Sequence, residues 1–166
     1  GRYKGFDAQL EWEVVESYGR KLLERAGNAK TRPRTAKTGS ANEKPLQVGF
    51  VSPDFDARDH PTLWLAYAVL AYLVDLAGRS ESQLAGVHVF VLESDFGPHK
   101  LLVNLLPQNR LHVLKLEMDD TDCVLYIQAL GIDVLIDMGG PTDRSRPGIF
   151  ARSPAPCQGL WLAHPG

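Results

Sequence analysis

From Leu46 onward the chain alternates short apolar runs with longer stretches whose apolar residues recur at helical spacing. Leu46–Val51, Val87–Leu92, Leu111–Leu116, Val134–Asp137 and Gln158–Ala163 are brief apolar runs bounded by turn-forming residues, the pattern of buried strands. Between them lie helical patterns. One covers Thr62–Ala77, with Pro61 at its first turn, where a missing N–H costs nothing. A shorter one covers Lys100–Leu106 after Pro98, and a third runs to Leu130 from a cap at Asp119 or Asp120. Gly148–Arg152 reads as a helical turn. Strand alternating with helix predicts an α/β fold, a Rossmann-like parallel sheet with helices on both faces and right-handed crossovers.

The first 45 residues obey other rules. Asp7–Ala26 has a helix-capping Asp7, a terminating Gly27, and apolar Leu10, Val14, Tyr18 and Leu22 at helical spacing, with Trp12, Val15 and Leu23 beside them. That broad face needs a partner to bury against. Residues 28–44 contain no large apolar side chain, so a core cannot include them and disorder is expected. Their Lys30, Arg32, Arg34, Lys37 and Lys44 read as the charges of a solvated tether, with nucleic acid or an acidic partner as the other reading. The expected organisation is a leading helix over 1–27, a flexible basic linker over 28–44 and a Rossmann-like lobe over 45–166.

Composition narrows the classes of function. The chain has 166 residues, 44% hydrophobic and 23% charged, with a formal net charge of −2. That balance suits one globular domain and gives no electrostatic case for nucleic acid or an anionic membrane. No apolar run approaches the roughly 20 residues that span a bilayer, and the N-terminus has no apolar secretory core. The first residue is Gly1 and not Met, so a missing start is expected. Cys123 and Cys157 have no metal-type spacing and read as small buried residues of a reducing compartment.

In parallel α/β folds ligands bind beyond the carboxyl ends of the strands, which singles out four segments. Ser52-Pro-Asp-Phe-Asp-Ala-Arg-Asp-His-Pro-Thr62 places His60 beside Asp54, Asp56 and Asp59 just ahead of a helix start. A carboxylate can fix the tautomer of a histidine acting as a general base, and free N–H groups at a helix start suit a phosphate or sugar oxygen. The plain alternative is a surface turn with a solvated histidine. Asp137-Met-Gly-Gly-Pro-Thr142 lets a backbone approach a ligand closely, or is a tight turn with Thr142 capping the next segment. It is not a dinucleotide fingerprint. Glu93-Ser-Asp-Phe96 and His164-Pro-Gly166 end the other two strands. Asp143, Arg144 and Arg146 read as surface charge, and His88, His99 and His112 as ordinary structural or exposed histidines without ligand spacing.

In order along the chain stand Leu46-Gln-Val-Gly-Phe-Val-Ser-Pro-Asp-Phe55, His60-Pro-Thr62, Gly131-Ile-Asp-Val-Leu-Ile-Asp-Met-Gly-Gly-Pro-Thr142 and Pro154-Ala-Pro-Cys-Gln-Gly-Leu-Trp-Leu-Ala-His-Pro-Gly166. This succession resembles the amino-terminal catalytic lobe of the protein O-GlcNAc transferase family, which includes the SPINDLY-type O-fucosyltransferases. The resemblance covers about residues 8–166. It implies one lobe of a GT-B glycosyltransferase, with the sugar nucleotide held between two lobes. It also implies inverting transfer of N-acetylglucosamine from UDP-GlcNAc to Ser or Thr of intracellular (cytoplasmic or nuclear) proteins, with no metal or other cofactor. A SPINDLY-type O-fucosyltransferase and a diverged non-catalytic scaffold lobe are the alternatives.

By the same resemblance, Asp54 and His60 are the catalytic candidates. Pro61, Thr62, Thr142, Leu162, Ala163 and Pro165 are the substrate-binding ones. A second lobe carrying most nucleotide contacts, and upstream tetratricopeptide repeats that recruit acceptors, would lie outside this chain, so the isolated chain is expected to be inactive. The sequence departs from the family pattern at several points. Asp56-Ala-Arg-Asp59 replaces a two-residue spacer, which bears on the distance from His60 to Asp54. Ala163 replaces the sugar-pocket glycine, His164 a tyrosine, Pro141 a tyrosine or histidine and Ser153 an arginine. A histidine-rich patch ahead of the leading helix is absent.

Overall fold

A computed structural model describes residues 44–142 and 144–162, together with Ser17, Arg20, Lys21 and Glu24 of a helix near the N-terminus. The rest of the expected leading helix, the linker up to residue 43, and Ala163, His164 and Pro165 lie outside the described residues.

Five parallel strands form one sheet in the order β3-β2-β1-β4-β5. They are β1 (Leu46–Ser52), β2 (Leu84–Leu92), β3 (Leu111–Leu114), β4 (Val134–Asp137) and β5 (Cys157–Leu160). The helices are α1 (Pro61–Ala77), α2 (Lys100–Leu105), α3 (Asp120–Ala129) and α4 (Pro147–Ala151), with a 3-10 turn at Gln108–Arg110. Alternate residues of each strand feed two cores, as the period of two requires. Phe50, Val87, Val89 and Val91 pack on one face with Leu63, Ala66 and Leu70 of α1 and Leu102 of α2. Val51, Phe90, Leu92 and Leu135 pack on the other with Val124 and Ile127 of α3 and Ile149 of α4. The α/β class, the parallel sheet and the helices on both faces are as the alternation predicts.

The element limits differ where the apolar pattern misleads. β2 begins at Leu84, ahead of the expected Val87, because Leu84 is buried and pairs with Leu46 even though Ala85 and Gly86 interrupt the run. At Gly86 a Cβ would lie 2.5 Å from the Arg110 guanidinium, so any larger residue there would displace the end of that side chain. β3 stops at Leu114, where its register with Leu92 ends, and the Leu116 N–H bonds the Glu93 carboxylate at 2.7 Å instead. β5 spans Cys157–Leu160, not Gln158–Ala163, and all four residues are exposed. Cys157 is therefore an exposed free thiol on an edge strand, against the expectation of burial, while Cys123 is buried and free. For α3, Asp119 is the cap: its side chain accepts the Asp122 N–H, and the Asp122 carboxylate accepts the Asp119 N–H in return. No helix among the described residues is long and apolar enough to cross a membrane.

Candidate functional site

The strand order reverses between β1 and β4, since the chain builds outward from β1 through β2 and β3, then crosses to β4 and β5. A crevice opens beyond the carboxyl ends of the two strands flanking such a reversal. Its walls here are the loop from β1 to α1 and the loop from β4 to α4.

The β1 loop is held residue by residue. The Ser52 hydroxyl accepts the Asp54 N–H at 3.1 Å, and Phe55 is fully buried as an anchor. Asp56, also fully buried, forms an isolated bridge with Pro98, while the His99 N–H bonds the Phe55 carbonyl and the Ala57 N–H bonds the Gly97 carbonyl. Arg58 donates from Nε to both Asp56 oxygens at 3.0 and 2.9 Å. Burial raises the Asp56 carboxyl, but the hydrogen bonds from Arg58 and Ser94 outweigh it, so its pKa lies below the ordinary value. Asp59 adopts φ +57°, an uncommon conformation that Asp tolerates better than most residues. Its carboxylate stands 2.7 Å from His99 Nε2. His99 Nδ1 accepts the Leu101 N–H at 3.2 Å, which leaves the ring proton on Nε2 to donate to Asp59. Asp56-Ala-Arg-Asp59 thus folds aside as a turn stitched to the loop after β2.

The longer loop still returns His60 to Asp54, with Nδ1 3.6 Å from Oδ2. His60 is the N-cap of α1, and its Nδ1 accepts the Thr62 N–H at 3.3 Å and lies 3.0 Å from the Thr62 hydroxyl. In the neutral ring that bond places the proton on Nε2, so the outward edge of His60 is a donor. Asp54 is largely buried at 13% side-chain exposure, whereas His60 is 48% exposed. Pro61 is exposed at the first position of the helix.

On the opposite wall, Asp137 Oδ1 accepts the N–H groups of Gly139 at 2.8 Å and Gly140 at 3.1 Å, closing a tight turn. Gly139 serves a close approach between the two walls, because a Cβ there would lie 2.8 Å from Pro53 Cδ. Arg144 then reaches across, with Nη2 3.0 Å from Asp54 Oδ1 and Nη1 3.1 Å from Asp56 Oδ2. Arg144 is therefore no free surface charge. Nor is Arg146, which donates to Asp120 at 3.0 Å and to the Met118 carbonyl at 2.7 Å. Behind Arg144, an open cleft of about 410 Å³ runs past Glu93, Lys115 and Arg146, and neither Asp54 nor His60 lines it.

Of the sequence candidates, Asp54, His60, Pro61 and Thr62 come together at the crevice. Thr142 is exposed on the β4 loop, where its carbonyl rather than its hydroxyl caps the turn, accepting Ser145 N at 3.0 Å and Oγ at 2.7 Å. Leu162 is exposed at φ +63°, where the chain has turned away from β5. Ala163 and Pro165 lie outside the described residues. Sequence reasoning named Asp56 and Asp59 beside His60 but missed Arg144, its bridge to Asp54 and Asp56, and the Asp59–His99 pair, because ion pairs between separate loops leave no periodic trace.

The model of glycosyl transferase family 41 matches residues 14–166. A Caenorhabditis elegans UDP-N-acetylglucosamine--peptide N-acetylglucosaminyltransferase is 28% identical over 135 residues, covering 75% of this chain and 10% of that protein. A solved Thermobaculum terrenum O-GlcNAc transferase superposes with a TM-score of 0.55 at 23% identity, covering 87% of this chain and 26% of that one. The chain thus spans only a small part of the length of these relatives. With its fold shared and its family pattern matched over nearly its whole length, the chain belongs to glycosyl transferase family 41.

Proposed function

We propose that this chain is the first lobe of a two-lobed GT-B enzyme that transfers N-acetylglucosamine from UDP-GlcNAc to serine or threonine hydroxyls of intracellular proteins. The observation that carries this reading is the Asp54–His60 pair at the reversal of strand order, with Asp54 Oδ2 turned toward His60 and Oδ1 alone engaged by Arg144.

In a single displacement the acceptor oxygen attacks the anomeric carbon as the bond to the diphosphate breaks, so the configuration inverts. The acceptor proton must leave as the new bond forms, and Asp54 Oδ2 is the acceptor of that proton. The His60 Nε2–H donates to a sugar or acceptor oxygen and fixes its line of approach. Thr62 holds that tautomer, with Pro61, Thr142, Leu162, Ala163 and Pro165 around the sugar. The departing diphosphate is stabilised by the second lobe, and no metal or cofactor takes part. Upstream repeats present the acceptor.

The test is a donor panel with the full-length protein and an acceptor peptide, offering UDP-GlcNAc and GDP-fucose, with and without EDTA. Transfer from UDP-GlcNAc that survives EDTA supports the reading. Transfer from GDP-fucose alone moves the protein to the O-fucosyl branch, and no transfer from either donor overturns the enzymatic reading. This lobe alone is expected to show no turnover.

A further inference from the structure

We propose that Arg144 is a positioning residue of this site: it ties the β1 and β4 loops together and holds Asp54 so that one chosen oxygen, Oδ2, faces the reaction. The inference rests on the reading of Asp54 as the proton acceptor and adds to it the group that orients the carboxylate.

The geometry separates a fixed post from a held group. Asp56 is the post. It is fully buried, bridged to Pro98, and gripped by Arg58 through Nε at 3.0 and 2.9 Å and through Nη2 at 2.8 Å. One guanidinium nitrogen of Arg144 docks on this post at 3.1 Å, and the other reaches Asp54 Oδ1 at 3.0 Å. Arg144 approaches from the β4 wall, whose distance is set where Gly139 packs on Pro53. A planar fork fixed at one prong has little freedom at the other. With Oδ1 held, rotation of the Asp54 carboxylate is stopped and Oδ2 stays on the His60 side, 3.6 Å from Nδ1.

Charge gives the second argument. Asp54 and Asp56 are two carboxylates on one short loop, and Arg58 reaches only Asp56 through hydrogen bonds. Arg58 acts on Asp54 only at a distance, so without Arg144 the Asp54 carboxylate loses its hydrogen-bonded cation and is free to rotate. Lysine offers one ammonium point in place of a two-pronged plane, so it cannot hold both carboxylates in this arrangement.

The experiment is steady-state transfer from UDP-GlcNAc by full-length wild type, Arg144→Met, Arg144→Lys, Asp56→Asn, Arg144→Met/Asp56→Asn and Asp54→Asn, with unfolding midpoints measured in parallel. Misplacing a reacting group by about 1 Å costs on the order of 100-fold. Arg144→Met is therefore expected to lower kcat about 10- to 100-fold, with KM for the donor changed less than about threefold. Arg144→Lys recovers only part of the loss. Asp56→Asn removes the post and lowers kcat in the same way, and the double variant is no worse than Arg144→Met alone. Arg144→Met at wild-type kcat, while Asp54→Asn is inactive, overturns the positioning role and leaves the site reading standing. Arg144→Lys equal to wild type also overturns it, since charge without a fork would then suffice, and that variant guards against a loss caused by misfolding. Asp54→Asn at wild-type kcat overturns the site reading itself, and the positioning role with it.

Discussion

Two polar clusters sit in this small lobe, and they have opposite characters. At the carboxyl ends of β1 and β4, Asp54, Asp56, Arg58, His60 and Arg144 form a network with one open edge, where His60 is half exposed and Asp54 Oδ2 meets no closer partner than His60 among the described residues. Under α3, on the other core face, a second chain is closed. Arg110 donates to Gln47 Oε1 at 2.7 Å and to His88 Nε2, His88 Nδ1 lies 2.9 Å from His112 Nε2, and His112 Nδ1 lies 2.7 Å from the Tyr126 hydroxyl. The imidazoles of His88 and His112 stack 5.2 Å apart and are both buried. An Arg donor at His88 Nε2 puts the ring protons on Nδ1 of each histidine, and every link of the chain is then satisfied with both rings neutral. The contrast shows why a cluster of histidines is weak evidence of chemistry. What marks a site is a reactive atom left unsatisfied and reachable, at a place where the topology opens a crevice.

The sharpest way to break this contrast is at His60. His60→Ala removes the outward donor from the open cluster, and transfer by the full-length protein is expected to fall about 100-fold, the order of loss when a reacting group is misplaced by about 1 Å. Its stability is expected to fall by about 1 kcal/mol, the usual cost of losing a side-chain cap such as the bond from the Thr62 N–H.

The closed cluster answers to acid. Burial, then the neighbouring Arg110 and His112, push His88 down to about 4, and burial and Arg110 lower His112 as well. Unfolding releases His88 to its ordinary value of 6.5, so the unfolded chain binds more protons between these values. The His88 contribution to stability is complete above pH 6.5 and is lost as pH falls through about 4. The loss is on the order of 3 kcal/mol. Unfolding midpoints from pH 7 to pH 4 check this, and His88→Leu is expected to fall less steeply than wild type over that interval.

A smaller effect belongs to the turn joining the two loops. Asp59→Val puts a β-branched side chain at φ +57° and strips the buried His99 of its acceptor. A stability loss of about 2 kcal/mol is expected by urea unfolding, whereas Asp59→Asn, which tolerates the conformation and keeps an acceptor oxygen, should stay within about 0.5 kcal/mol.

Much of the fold is legible in the sequence because burial on both faces makes each strand an apolar run. Leu46–Ser52 and Val134–Asp137 stand where their hydrophobicity puts them. β2 does not, since Ala85 and Gly86 interrupt its apolar run although Leu84 is buried. The site divides the same way. Asp54 and His60 follow from their place between a strand end and a helix start, and the family resemblance gives them roles. Arg144 is silent, because a charged residue in a polar loop looks alike whether it faces water or bridges two carboxylates. His88 and His112 look like exposed or structural histidines equally, and only the pairing of β2 with β3 decides that both are buried.

On the proposed function, chemistry belongs to the open cluster and stability to the closed one. Asp54→Asn and His112→Phe in the full-length protein test that division side by side, reading both transfer from UDP-GlcNAc and the unfolding midpoint. Asp54→Asn is expected to lose transfer at least about 100-fold with its midpoint nearly unchanged. His112→Phe is expected to lose about 2 kcal/mol of stability and, assayed well below its midpoint, to keep kcat within about twofold of wild type. Full transfer by Asp54→Asn, or transfer lost in folded His112→Phe, contradicts the division.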